Sequence, residues 1–125
     1  MLYTTYFAKM NKIPNDCIKL IITRFPPKWL NINEYTKTYV VKQLAPSQEL
    51  LLSYRKNNNW GEYVTQFKHE MVNREDMVDM LYRLNKFLYE GNDVCLICYE
   101  KNYKQCHRSL LGMYFKEKNI EWKEI

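Results

Sequence analysis

The stretch D-V-C-L-I-C-Y at residues 93–99 constrains this chain more than any other, because it is apolar on both parities. A strand with one face in water alternates apolar and polar residues. A run that does not alternate belongs where both faces are covered, in the middle of a parallel sheet. Residues 102–105 are polar and loop-like, and residues 106–119 carry Leu110, Leu111, Tyr114 and Phe115 at helical spacing. Buried strand, loop and helix in succession are the working part of a parallel α/β unit.

The remaining segments fit that frame. Residues 2–7 mix aromatic and β-branched side chains, and residues 17–23 read C-I-K-L-I-I-T, so both are expected strands, separated by a turn at Ile13-Pro14-Asn15-Asp16. Pro26-Pro27 cannot continue a central ladder, which leaves Arg24 at the carboxyl end of the second strand. Residues 33–44 read as a weak helix, with Tyr35, Tyr39 and Gln43 spaced at four. Ser47 can cap a helix carrying Leu50, Leu51 and Tyr54, which breaks at residues 57–59. Trp60, Tyr63, Val64, Phe67 and Met71 share one face of a second helix. Asn73 with Asp76 resembles a capping arrangement for a third, whose Met77, Met80, Leu81, Leu84, Phe87 and Leu88 run up to a stop at Gly91. Residues 120–125 alternate, as an edge strand does. The expected architecture is a single α/β domain over residues 1–125: a small parallel-rich sheet of about four strands flanked by helices, with a helical insertion between strands two and three.

Residues 1–8 lack the basic start and apolar run of a signal peptide, and no stretch nears the roughly 20 apolar residues of a membrane span. The chain therefore reads as soluble and cytoplasmic with no membrane partner, and its four cysteines as thiols, metal ligands or catalytic groups, not a disulfide framework. A net charge of +5 and a pI near 9.0 favour anionic partners, either a phosphate-bearing small molecule or a nucleic acid. The lysines are dispersed among acidic residues, so no nucleic-acid-binding arm is present. With glycine only at Gly61, Gly91 and Gly112, no glycine-rich phosphate loop exists. A phosphatase loop is also missing, since Lys104 and Gly112 stand where arginine would follow Cys98 or Cys106 by six.

In open parallel sheets ligands collect beyond the carboxyl ends of the strands, where the next helix presents unpaired N–H groups. Cys95 and Cys98 are an odd number of residues apart and point to opposite faces, which disfavours a thioredoxin-type pair and leaves Cys95 in the core. Cys98 at the strand end and Cys106 at the helix start can share one crevice. A thiol at a helix N-terminus beside His107 and Arg108 is biased toward the thiolate. Arg108 and Arg24 offer guanidinium forks for an anion at the same rim, and Trp60 with Tyr63 could form a wall that stacks a base. Against this stand ordinary roles for each residue: Cys106 merely opening a helix, Arg108 paired with Glu100, His107 at the surface. Zinc ligation by Cys95, Cys98, Cys106 and His107 has suitable residue types but poor spacing, since the strand would have to bend to bring Cys95 round.

Residues 2–10 (L-Y-T-T-Y-F-A-K-M), 21–29 (I-I-T-R-F-P-P-K-W), 44–52 (L-A-P-S-Q-E-L-L-L) and above all 94–111 (V-C-L-I-C-Y-E-K-N-Y-K-Q-C-H-R-S-L-L) resemble the domain-of-unknown-function 488 family. The resemblance runs in order over nearly the whole chain, and C-x-x-C-Y-E-K followed by C-H-R is its specific part. It implies a compact α/β domain with a polar cluster at the sheet edge, and it makes Arg24, Cys98, Glu100, Cys106, His107 and Arg108 the motif residues. Glu100 shares parity with Cys98 and could act as a general base or orient Arg108.

The leading expectation is an enzyme acting on a phosphate-bearing, nucleotide-related or nucleic-acid-related compound. Arg24, Arg108 and the helix N-terminus would bind the anion, Cys106 or Cys98 would supply the thiol, and Glu100 or His107 would move a proton. Two alternatives accompany it, a non-catalytic anion- or nucleotide-binding module and a structural metal-binding domain. No cofactor is predicted, and the oligomeric state is open.

Overall fold

A computed structural model describes all of residues 1–125. Five strands, β1 (Leu2–Tyr6), β2 (Ile18–Ile21), β3 (Thr38–Val40), β4 (Val94–Cys98) and β5 (Trp122–Glu124), form one all-parallel sheet in the order β3-β2-β4-β1-β5. Four helices, α1 (Gln48–Asn57), α2 (Trp60–Asn73), α3 (Glu75–Tyr89) and α4 (His107–Glu117), complete the α/β fold. The unalternating run is the central strand: every residue of β4 is buried, and its ladder pairs it with β1 on one side and β2 on the other. β5 is an edge strand, as its alternation indicated.

Three expectations are corrected. The sheet has five strands, not about four, because residues 33–44 form no helix; they contain β3 between two short 3-10 turns. β3 is a short edge strand with Tyr39 and Val40 exposed, so burial imposes no period on it and its tyrosine spacing mimics a helix. The helical insertion consequently follows the third strand in sequence, not the second. Asn73 does not cap α3 either: it lies within α2 and donates its amide to the His69 carbonyl. Arg74 is the turn residue, bound to Glu70, Asp76 and the Ala45 carbonyl. Ser47 does cap α1, its Oγ accepting from Leu50 N at 3.2 Å, and Gly91 (φ 94°) follows α3 in the left-handed region that glycine tolerates.

The two faces of the sheet are covered differently. On one, Leu2, Leu20, Val94, Leu96 and Cys98 pack against Leu50 of α1, Phe67 of α2, Leu81 of α3 and Phe115 of α4. On the other, Cys17, Ile21, Cys95 and Ile97 meet Phe7, Met10 and Ile13 from the 3-10 turn Phe7–Lys12 and the residue after it. Cys95 and Cys98 therefore lie on opposite faces, as strand parity requires.

α4 docks against the sheet through Gly112, where a Cβ would stand 2.4 Å from Cδ2 of Trp122. That indole is held in turn, since its Nε1 donates to Thr4 Oγ1 at 2.7 Å. Gly112→Ala should therefore destabilise the fold. Overpacking costs about 1–3 kcal/mol, of which the better helix propensity of alanine offsets at most about 1 kcal/mol. An unchanged or raised urea midpoint would show that the α4–β5 contact can widen freely.

Candidate functional site

Beyond the carboxyl ends of β2 and β4 lies a cavity of about 550 Å³, closed on one side by α1 and the start of α2. Its walls are set by three local features. Tyr99 donates its hydroxyl to the Phe25 carbonyl at 2.7 Å, joining the loop after β4 to the loop after β2. Arg24 Nε donates to the Pro46 carbonyl at 3.0 Å, which fixes that half-buried side chain along the wall. Residues 45–47 are clamped from behind, because Glu70 accepts from Ser47 N while Arg74 donates to the Ala45 carbonyl.

At the floor, Cys98 from the end of β4 and Cys106 from the N-cap of α4 bring their sulfurs to 2.7 Å. His107, the first residue of α4, places Nδ1 3.7 Å from the Cys106 sulfur, and its Nε2 lies 2.7 Å from the Ile22 carbonyl. A carbonyl can only accept, so Nε2 carries a proton and Nδ1 is the ring atom that faces the Cys106 sulfur, where it takes the thiol proton to leave an imidazolium beside a thiolate. The ring is held from the other side by a chain of aromatic contacts: Trp60 stacks on Tyr63 (5.0 Å), Tyr63 on Phe67 (5.9 Å), and Phe67 meets the imidazole at 5.6 Å.

Both thiols are almost fully buried, and burial opposes their ionisation. For Cys106 this is outweighed by the hydrogen bond from Cys98 and by the positive fields of His107 and Arg108, so its thiol sits well below the ordinary range. For Cys98 burial prevails, reinforced by its neighbour, and it is pushed well above. The pair is thus arranged as a thiol donating to a thiolate. The other two cysteines lack such support: burial, with a smaller contribution from Asp93, lifts Cys17 to about 11, and burial raises Cys95 as well.

Arg108 is not where an anion could reach it. Its side chain is fully buried behind Cys98, outside the cavity lining. Nε and Nη2 grip both carboxylate oxygens of Glu124 at 3.0 and 2.9 Å, while Nη1 donates to the Glu100 carbonyl at 2.5 Å and to the Cys98 sulfur at 3.4 Å. The expected convergence of two arginines is thereby corrected: Arg24 lines the cavity and Arg108 does not. Its bond to Glu100 is to that residue's backbone, and the Glu100 side chain is exposed at the cavity.

Trp60 and Tyr63 both reach the cavity, but Tyr63 has a ring stacked on each side and is only 4% exposed, so it offers no free face to a ligand. Trp60 is half-buried. Of the four zinc-ligand candidates, Cys98, Cys106 and His107 hold their donor atoms within 4.8 Å of one another, whereas Cys95 lies across the sheet.

Among the lining residues that escaped the sequence reading are Arg55 and Thr23. Arg55, in the last turn of α1, looked like a solvated helix charge; the available signal was its place directly after Tyr54, at the point where the asparagine run ends the helix. Thr23 is 5% exposed, and its Oγ1 has no hydrogen-bond partner although it belongs to the cavity lining. No helix of the chain is long and apolar enough to cross a membrane.

A family model described as "DUF488-N3a: Active DUF488-N3 subclade" matches residues 3–119. Comparison with curated proteins and with solved structures gave no match.

Proposed function

The chain belongs to the DUF488 family, and on that premise we propose that it is a thiol-dependent enzyme acting on a small phosphate-bearing compound with an aromatic ring, of the nucleotide class. The observation that carries this reading is the contact of the Cys106 sulfur with both Cys98 and His107 Nδ1 on the floor of an open cavity. Cys106 is the nucleophile, His107 takes its proton, and Cys98 hydrogen-bonds the sulfur. The family description "active" agrees with a site whose reacting group is intact.

Anion recognition falls to Arg24 and Arg55 at the wall, with the N-terminus of α4 below them. Against these, Glu100 is the single carboxylate lining the cavity. Trp60 supplies the ring surface, and the unpaired Thr23 hydroxyl a hydrogen bond to the ligand. Arg108 acts indirectly, holding Cys98 from behind. Glu100, exposed at the rim, serves as an accessory general base.

Calorimetric titration of the reduced protein tests the recognition half, with adenosine monophosphate and inorganic phosphate as probes. Arg24→Ala should weaken both by tenfold or more, since a charge-assisted hydrogen bond contributes about 1.5–3 kcal/mol. Trp60→Ala should weaken the nucleotide alone, and Cys106→Ser should leave binding of both intact while removing any turnover. Equal affinity of wild type and Arg24→Ala for both probes would remove the anion site from this proposal.

A further inference from the structure

The two sulfurs on the cavity floor do more than share a hydrogen bond. They stand 2.7 Å apart, on two different elements, and both belong to the cavity lining. A disulfide spans about 2.05 Å, so a side-chain adjustment of under about an ångström separates the dithiol from a bond. Two features divide the labour between them. Cys106 faces the imidazole lone pair that can remove its proton, and Cys98 is backed by the Arg108 guanidinium, which steadies a sulfur that becomes negative in its turn. A nucleophilic thiol with a second thiol waiting beside it is the arrangement required for thiol–disulfide exchange.

We propose that Cys98 and Cys106 form an exchangeable dithiol, in which Cys106 attacks a carboxylate-bearing low-molecular-weight disulfide and Cys98 resolves the mixed disulfide. The substrate enters where Arg24 and Arg55 can meet its carboxylates. In the first step His107 Nδ1 takes the Cys106 proton, a bond forms between the Cys106 sulfur and one substrate sulfur, and the substrate S–S bond breaks. The first thiolate leaves with the proton from His107. In the second step Cys98 attacks the Cys106 sulfur, the mixed disulfide breaks, and the second thiolate leaves with the proton Cys98 gives up. The two cysteines together lose two electrons and two protons, and the substrate disulfide gains them as two thiols. This activity rests on the same nucleophile and the same two arginines as the preceding proposal but not on its phosphate-bearing nucleotide substrate.

The test uses the reduced full chain with glutathione disulfide as probe, followed by intact mass and peptide mapping. The wild type should release two glutathione molecules per chain and end lighter by two hydrogens, with the new bridge mapped to Cys98 and Cys106 and with Cys17 and Cys95 still free. Cys98→Ser should stop at one glutathione attached to Cys106, and Cys106→Ser should gain none in the same time. If Cys98→Ser fails to fold, Cys98→Ala and the wild-type map carry the test. Any of three results overturns the proposal: a stable glutathione adduct on wild-type Cys106, a bridge involving Cys17 or Cys95, or stoichiometric zinc that blocks oxidation until it is chelated. Nucleotide binding by the reduced protein is measured separately, so loss of either proposal leaves the other standing.

Discussion

Arg108→Ala is expected to remove about 3–5 kcal/mol of folding stability, the scale on which a buried charge left without its partner is penalised. The guanidinium is fully buried, and five acceptors surround it: the two Glu124 oxygens, two backbone carbonyls and the Cys98 sulfur. Deleting it leaves the Glu124 carboxylate, only 17% exposed, with Thr4 as its remaining donor. Since a whole domain is stable by about 5–15 kcal/mol, such a loss removes a large share of the stability the chain has. Arg108→Lys should recover little, because one ammonium cannot grip two carboxylate oxygens and two carbonyls at once. Urea denaturation of the three proteins measures this. A change of under about 1 kcal/mol for the alanine variant would mean that water replaces the guanidinium in that space.

The second large effect concerns reactivity. Iodoacetamide should label Cys106 first, with a rate that holds up as the pH falls below about 8.5, where an ordinary thiol loses tenfold per unit. The sign follows from the environment. Burial opposes the thiolate, but the Cys98 hydrogen bond and the His107 and Arg108 charges overcome it, so the anion persists at lower pH than in a free thiol. His107→Ala should move the rate profile back toward higher pH, and Cys106→Ser should abolish the fast phase. An ordinary thiol profile, or Cys98 labelled ahead of Cys106, would contradict this division of roles.

These expectations depend on contacts that differ in how far the sequence reveals them. The central strand and all four helices could be read because burial writes its period into the residues themselves: unalternating in β4, three-to-four in α2 and α3. β3 could not, since an exposed three-residue edge strand has no buried face to impose a pattern. The meeting of Cys98 and Cys106 followed from the general rule about strand ends and the next helix. The partner of Arg108 did not. Glu124 is simply a polar position in an alternating segment until β5 pairs with β1 and sets that carboxylate against α4, a juxtaposition created by sheet order alone. Tyr63 illustrates the remaining gap. Helical spacing shows that it shares a face with Trp60 and Phe67, but not that those rings close over both of its sides.

β4 has a consequence for how this chain tolerates change. Its third and fifth residues look toward the helices while the second and fourth look toward the 3-10 turn, and ladders on both flanks lock that choice. A one-residue slip in the turn at Gly91 would not simply lengthen a loop; it would hand the cavity's sulfur to the sealed side and bring a hydrocarbon in its place. The strand is a partition whose threading decides which thiol meets solvent chemistry, so insertions there should be tolerated in pairs or not at all.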